Sequence, residues 1–196
     1  MNKIFEIFNT YGKTVNYKKN DIVFNEHTLC DSVGLIIKGK VRITSITNDE
    51  NEITINLLGS NDLFGDLLIF SSNPYYYGIG VCLENSVISF INKDKLMFLF
   101  KEDSLFLDRF LNLITNKGVY LKQLNKMYQY NLLEDRLMYY LNNLSKKVNE
   151  NTVYYKSVTD ISYILSVPRP SVSRSLHKLE NSGKIKIYKH LIEIKK

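Results

Sequence analysis

Two prolines, Pro168 and Pro170, sit between two apolar stripes of helical spacing, and no other feature restricts the fold as tightly. Upstream, Val158, Ile161, Ile164 and Leu165 share one face of a helix. Ser157 or Thr159 suits its N-cap, and Asp160 its first turn. The helix must stop at Ser166-Val167, because the residue before a proline is driven out of the helical region. Pro170 is tolerated only in the first turn of a new helix, where its missing N–H is not needed. That second helix, opening at Pro168 or Arg169, buries Val172, Leu176 and Leu179. It turns Arg169, Ser171, Ser173, Arg174 and Lys178 outward. Two short helices with a tight break form a helix-turn-helix, whose second helix enters a DNA major groove N-terminus first. A guanidinium matches guanine O6 and N7, and serine hydroxyls reach bases or phosphates.

An ordinary helical hairpin would show the same stripes, and charge separates the two readings. Residues 145–196 hold 11 Lys/Arg and 4 Asp/Glu, a net of +7, whereas residues 1–144 hold 15 and 16. A positive field confined to one region is what a polyanionic partner requires. Beyond Leu179, Glu180-Asn181-Ser182-Gly183 is a helix stop. Residues 184–196 then alternate Ile185, Ile187, Ile192 and Ile194 with polar residues around Lys189-His190. This is a β-hairpin: either a wing with lysines along a phosphate backbone, or a plain terminal hairpin.

Upstream, residues 105–130 predict one long helix. Leu107, Leu111, Ile114, Gly118, Leu121, Asn125 and Tyr128 follow a heptad seam, and Phe110, Leu113, Tyr120, Leu124 and Met127 form a second stripe. A helix apolar on two faces serves its own domain on one and a second copy on the other. A single buried core helix is the alternative. Tyr130-Asn131 reads as a hinge, and residues 132–147 as a further helix with Leu133, Leu137, Tyr140, Leu141 and Leu144 inward.

The first hundred residues are β-like after a short amphipathic helix over 4–12. Alternating runs at 21–26, 33–46, 52–58, 78–83 and 86–91 predict an antiparallel sandwich or jelly roll. Lys38-Gly39 is expected to form a tight hairpin. Further turns are expected at Asn48-Asp49-Glu50-Asn51, Gly59-Ser60-Asn61-Asp62 and Glu84-Asn85. Phe64–Phe70 interrupts the rhythm with a helical turn, read as a connecting loop in preference to an anion site.

The division expected is therefore a sensor barrel over 1–104, a dimerisation helix over 105–130 and a winged helix-turn-helix over 131–196. In fold class this is α+β. No apolar run is long enough to span a membrane, and residues 1–13 lack the core of a signal peptide. Cys30 and Cys82 make neither a disulfide framework nor a zinc site, though a redox pair between them stays open. The expected location is the cytoplasm.

In this order of parts the chain resembles the CRP/FNR family of bacterial transcription regulators. The resemblance is carried by VGLIIKGKVRI, LLGSNDLFGDLLIF, LLEDRLMYYL and VTDISYILSVPRPSVSRSLHKLENSGKI. It implies a cyclic-nucleotide-binding-like barrel and a homodimer on a pseudo-palindromic double-stranded operator. RNA polymerase is a further implied partner. Arg169, Ser173 and Arg174 then take base- and phosphate-contacting positions, and Pro170 stands where many members have a glutamate that reads a base. Cyclic-nucleotide-binding members follow a glycine-glutamate pair with an arginine and a small hydroxyl residue. Here Gly65-Asp66 match the pair loosely, and Tyr75-Tyr76-Tyr77 stand where the arginine and its neighbour belong. A cyclic phosphate would there lack its counter-charge, so cyclic AMP is not the expected effector. Gly65, Asp66, Tyr76 and Tyr77 are the residues expected around an effector of another kind, with Tyr120 or Leu124 facing them. No cofactor is identified; haem would have only His27, Cys30 and Cys82 as axial candidates. Two alternatives remain: a cyclic-nucleotide-responsive regulator with an atypical pocket, and a cupin-like jelly-roll enzyme, for which the histidines are too few.

Overall fold

The computed structural model describes residues 2–46 and 52–195. Contacts within the chain divide it into two units, Met1–Thr115 and Asn116–Lys196, with the division inside the long helix.

The first unit is built on two four-stranded sheets, every pairing antiparallel. One holds β1 (Lys13–Tyr17), β8 (Ser86–Asn92), β3 (Ser32–Lys38) and β6 (Leu63–Phe64), in that order. The other holds β2 (Ile22–Phe24), β7 (Ile79–Cys82), β4 (Val41–Ile46) and β5 (Glu52–Leu58). Their inner faces share one core, which includes Val33, Ile36, Val41, Cys82, Ile88 and Ile91. Two rings lock the sheets together, Phe24 and Phe64, with centroids 5.4 Å apart. Two glycines make the space. A Cβ on Gly34 would lie 2.1 Å from the Phe64 ring, and one on Gly80 would lie 2.5 Å from the Phe24 ring.

The hairpin expected at Lys38-Gly39 is not formed. Both edges of β3 are occupied, by β8 and β6, so β4 has no edge of it to pair with. The chain instead crosses from one sheet to the other there, with Gly39 at φ 104. β4 pairs with β5, but their connection, Asn48-Asp49-Glu50-Asn51, lies outside the described residues. The turns at Gly59–Asp62 and Glu84-Asn85 separate strands as expected. Residues 65–70 make a single turn, with Leu68 and Ile69 N–H bonded to the Gly65 carbonyl and Ile69 buried.

Helices close the barrel. α1 (Asn2–Tyr11) buries Ile4, Ile7 and Phe8. α2 (Lys93–Glu102) has no counterpart among the expected elements. Asn92 caps it, its Oδ1 accepting from Lys95 N at 2.9 Å. Asp103 then ends it and caps α3 (Ser104–Tyr128), accepting from Phe106 N at 2.9 Å. Lys3 lies 2.9 Å from the same carboxylate. Phe106 and Phe110 fill the core against Phe100.

In the second unit, the end of α3 is followed by α4 (Leu133–Tyr139), which runs into one π-helical turn over Tyr140–Leu144. A sheet ordered β11-β12-β10-β9 comprises β9 (Lys146–Lys147), β10 (Thr152–Tyr154), β11 (Ile185–Tyr188) and β12 (Leu191–Ile194). Between β10 and β11 come α5 (Val158–Leu165) and α6 (Arg169–Asn181). Their shared core includes Met127, Leu137, Leu141, Ile161, Leu165, Val172, Leu176 and Ile192. Because Met127 and Leu124 pack here, the last turns of α3 are built into this unit. Tyr130, expected at a hinge, is held: its carbonyl accepts from Arg136 Nε at 2.7 Å.

Candidate nucleic-acid interface and barrel site

The two helices of the second unit begin and end where the sequence chemistry requires. Ser157 caps α5, its Oγ accepting from Asp160 N at 3.1 Å while its hydroxyl meets the Asp160 carboxylate. Ser166 adopts the left-handed conformation, φ 53, and closes α5; its N–H bonds Tyr163 O, and Val167 N–H bonds Ser162 O. Pro168 precedes α6, and Pro170 falls in the first turn, as predicted.

On α6, Val172, Ser175, Leu176 and Leu179 are buried. Arg169 and Arg174 are exposed, and Ser171 and Ser173 half-buried at the flanks. Arg174 Nη2 lies 3.4 Å from Ser171 Oγ. Lys178 is exposed but paired: its Nζ is 3.2 Å from Glu134 Oε1, which also accepts from Ser175 Oγ at 3.2 Å. The Glu134 carboxyl is held below the usual range by its own backbone N–H and then by Lys178. Two exposed residues on the Arg174 side were not singled out, His177 and Asn181. Their signal was the spacing, three and seven residues beyond Arg174 on one helical face. The hairpin of β11 and β12 turns at His190, φ 66, and packs to α6 through Ile187 N–H on Glu180 Oε1 at 2.9 Å. Lys184, Lys186 and Lys189 on it are exposed, whereas Lys195 is paired with Glu193 at 2.6 Å.

The seam of α3 divides. Leu111 (54 % exposed), Gly118, Leu121 (50 %) and Asn125 lie open, and a Cβ on Gly118 would meet no atom within 4 Å. Leu107 is half-buried, and Ile114 packs against the barrel core. Tyr128 does not project freely from the seam; its hydroxyl donates to Ile164 O at 2.6 Å.

In the barrel, the four expected pocket residues have different surroundings. Gly65 sits at φ 74, where a Cβ would come within 2.8 Å of both Cys30 Sγ and the Ser32 carbonyl. Asp66 is buried. Tyr76 is 8 % exposed and stacked on Phe24, centroids 4.0 Å apart. Burial first, and then its hydrogen bond with Cys30, push its phenol well above the ordinary range. Tyr77, its neighbour on the chain, points out at 59 % exposed. A cavity of about 270 Å³ opens beside Tyr76, lined also by Phe24, Phe90, Thr28, Asp31 and Ser32. Its lining takes in none of Gly65, Asp66 and Tyr77, and includes no Lys or Arg. Leu124, expected to face this region, packs in the core of the second unit. Cys30 and Cys82 are buried free thiols whose pKa values burial raises. Among the described residues, no His/Cys/Asp/Glu group is arranged to hold a metal ion, and no helix is long and apolar enough to cross a membrane.

A jelly-roll barrel, a long helix and a winged helix-turn-helix follow one another in this order. Comparison with known proteins agrees. Residues 14–103 match the cyclic nucleotide-binding domain family. The anaerobic regulatory protein of Bacillus subtilis is 26% identical over 93 residues, 47% of this chain and 39% of that protein; the chain thus aligns with about two fifths of this relative's length. CprK, solved in complex with OCPA, superposes with a TM-score of 0.70 at 21% identity, covering 99% of this chain and 91% of that one. A CooA mutant from Carboxydothermus hydrogenoformans gives a TM-score of 0.67 at 16% identity, covering 97% and 86%. The chain thus carries a cyclic nucleotide-binding-like domain over residues 14–103 and shares the fold of these solved structures.

Proposed function

We propose that the chain is a homodimeric, sequence-specific DNA-binding regulator of transcription that acts in the cytoplasm by binding, not catalysis, and does not use cyclic AMP. The observation that carries this is the outward face of α6, where Arg169 and Arg174 stand clear of the core in a segment of net charge +7. Arg169 and Arg174 contact bases or phosphates, with Ser171, Ser173 and Lys178 at the flanks; Lys178 must first leave Glu134. The exposed seam at Leu111, Gly118, Leu121 and Asn125 supports pairing through α3, which sets two reading heads on a two-fold operator. RNA polymerase is then the machinery such a dimer recruits or obstructs. Selecting genomic fragments on the purified chain tests the reading. The expected fragments share a near-palindrome with half-sites about one helical turn apart, and their binding weakens steeply with salt. Fragments with no common sequence, or no retention at low salt, would overturn it.

The barrel match favours a second reading, a cyclic nucleotide as effector. Against it, the resemblance puts Tyr75-Tyr76-Tyr77 where the phosphate's arginine would be expected, Tyr76 is turned inward onto Phe24, and an anion buried without a counter-charge is strongly disfavoured. Thermal shift with cyclic AMP and cyclic GMP separates the readings: the first expects no stabilisation and the second a clear one.

A further inference from the structure

Pro168 leaves one carbonyl of the helix-turn-helix without its ordinary donor. In a helix the carbonyl of Ile164 would accept from residue 168, and proline has no N–H to give. The N–H groups that follow α5 are committed elsewhere, Ser166 to Tyr163 O and Val167 to Ser162 O. The Tyr128 hydroxyl, from the last turn of α3, fills this place at 2.6 Å from Ile164 O. Its single proton is then spent, so the Ser166 hydroxyl, 3.2 Å away, donates to the phenol oxygen. Ser166, in the left-handed turn, and the Ile164 carbonyl before it are thus both tied to α3. The turn directly precedes α6, whose N-terminal residues Arg169 and Arg174 carry the proposed contacts.

We propose that Tyr128 is a positioning residue for DNA reading: its hydroxyl clamps the turn of the helix-turn-helix to the end of α3 and so fixes the tilt at which α6 is presented. This rests on the regulator reading above. A loose turn still offers the same positive charge, so non-specific attraction survives. Base readout, which needs side chains held in register, does not.

The test compares the full-length wild-type chain with Tyr128→Phe, which keeps the ring and removes only the hydroxyl. Two duplexes are used, one recovered by genomic selection and a scrambled one of equal length and composition. Amide exchange at Ser166 and Val167 should accelerate by up to about tenfold, the loss expected for one hydrogen bond. Affinity for the selected duplex should fall about tenfold, while affinity for the scrambled duplex should hold. Equal losses on both duplexes, or faster exchange with an unchanged ratio, would mean a merely structural hydroxyl and overturn the proposal. So would exchange that does not change. A wild-type chain that prefers no duplex would instead sink the regulator reading, and that result is read before the variant enters.

Discussion

The barrel and the C-terminal unit treat their functional faces in opposite ways. In the C-terminal unit the apolar residues of α6 are all inward, and the groups able to recognise a partner stand in solvent. In the barrel Tyr76 is folded into the core against Phe24, and Tyr77 beside it is left outside. The difference is that the C-terminal unit keeps charged and polar groups in solvent, whereas the barrel packs rings inward at Tyr76. A barrel so filled gains stability from its rings.

Breaking the aromatic lock should have the largest effect. Phe24→Ala removes a ring that touches both Phe64 and Tyr76, and should lower stability by about 3–5 kcal/mol in urea unfolding. Its effect should be confined to the transition of the barrel. Next comes the reading face: Arg174→Ala should weaken binding to a selected operator by about 1–3 kcal/mol in a gel-shift titration, with the fold unchanged by circular dichroism. The two tyrosines sharpen the contrast within the barrel. Tyr76→Phe removes a buried hydrogen bond to Cys30 and should cost about 1 kcal/mol, whereas Tyr77→Phe should stay within about 0.5 kcal/mol by the same unfolding assay.

The smallest effect is a pH dependence. Glu134 has a lowered pKa in the fold, so its contribution is present above its unfolded value, about 4.3, and fades as pH falls through the lower folded one. The pair with Lys178 is largely exposed, so the contribution is at most about 1 kcal/mol. Glu134→Gln should therefore lower stability at neutral pH by at most about 1 kcal/mol and flatten the acid limb of a stability–pH curve, the variant and wild type converging at low pH.

What was legible in the sequence follows the range of the interactions. α5, α6 and the terminal hairpin were readable because caps, proline breaks and periodicity act within a few residues. The strands of the barrel were readable as strands, but not their partners. Gly39 looked like a hairpin because local chemistry allows one, and only the occupied edges of β3 forbid it. α2 was missed because LMFLF is an unbroken apolar run, with no period to mark it as helix until Asn92 and Asp103 cap its ends. Tyr128 was expected on the pairing seam of α3 and instead bonds Ile164. Its role was hidden because its partner, Ile164, lies 36 residues away. Gly65 and Asp66 were named by resemblance alone, and no sequence pattern could say that Tyr76 would turn toward Phe24.

The account stands on two reading heads held by one exposed seam, and the stoichiometry of the bound complex tests that most directly. Sedimentation of the full chain with a selected duplex should give two chains per duplex, in a complex that Leu121→Lys reduces to single, weakly bound chains. One wild-type chain per duplex, or an undisturbed pair in the Leu121→Lys variant, would contradict it.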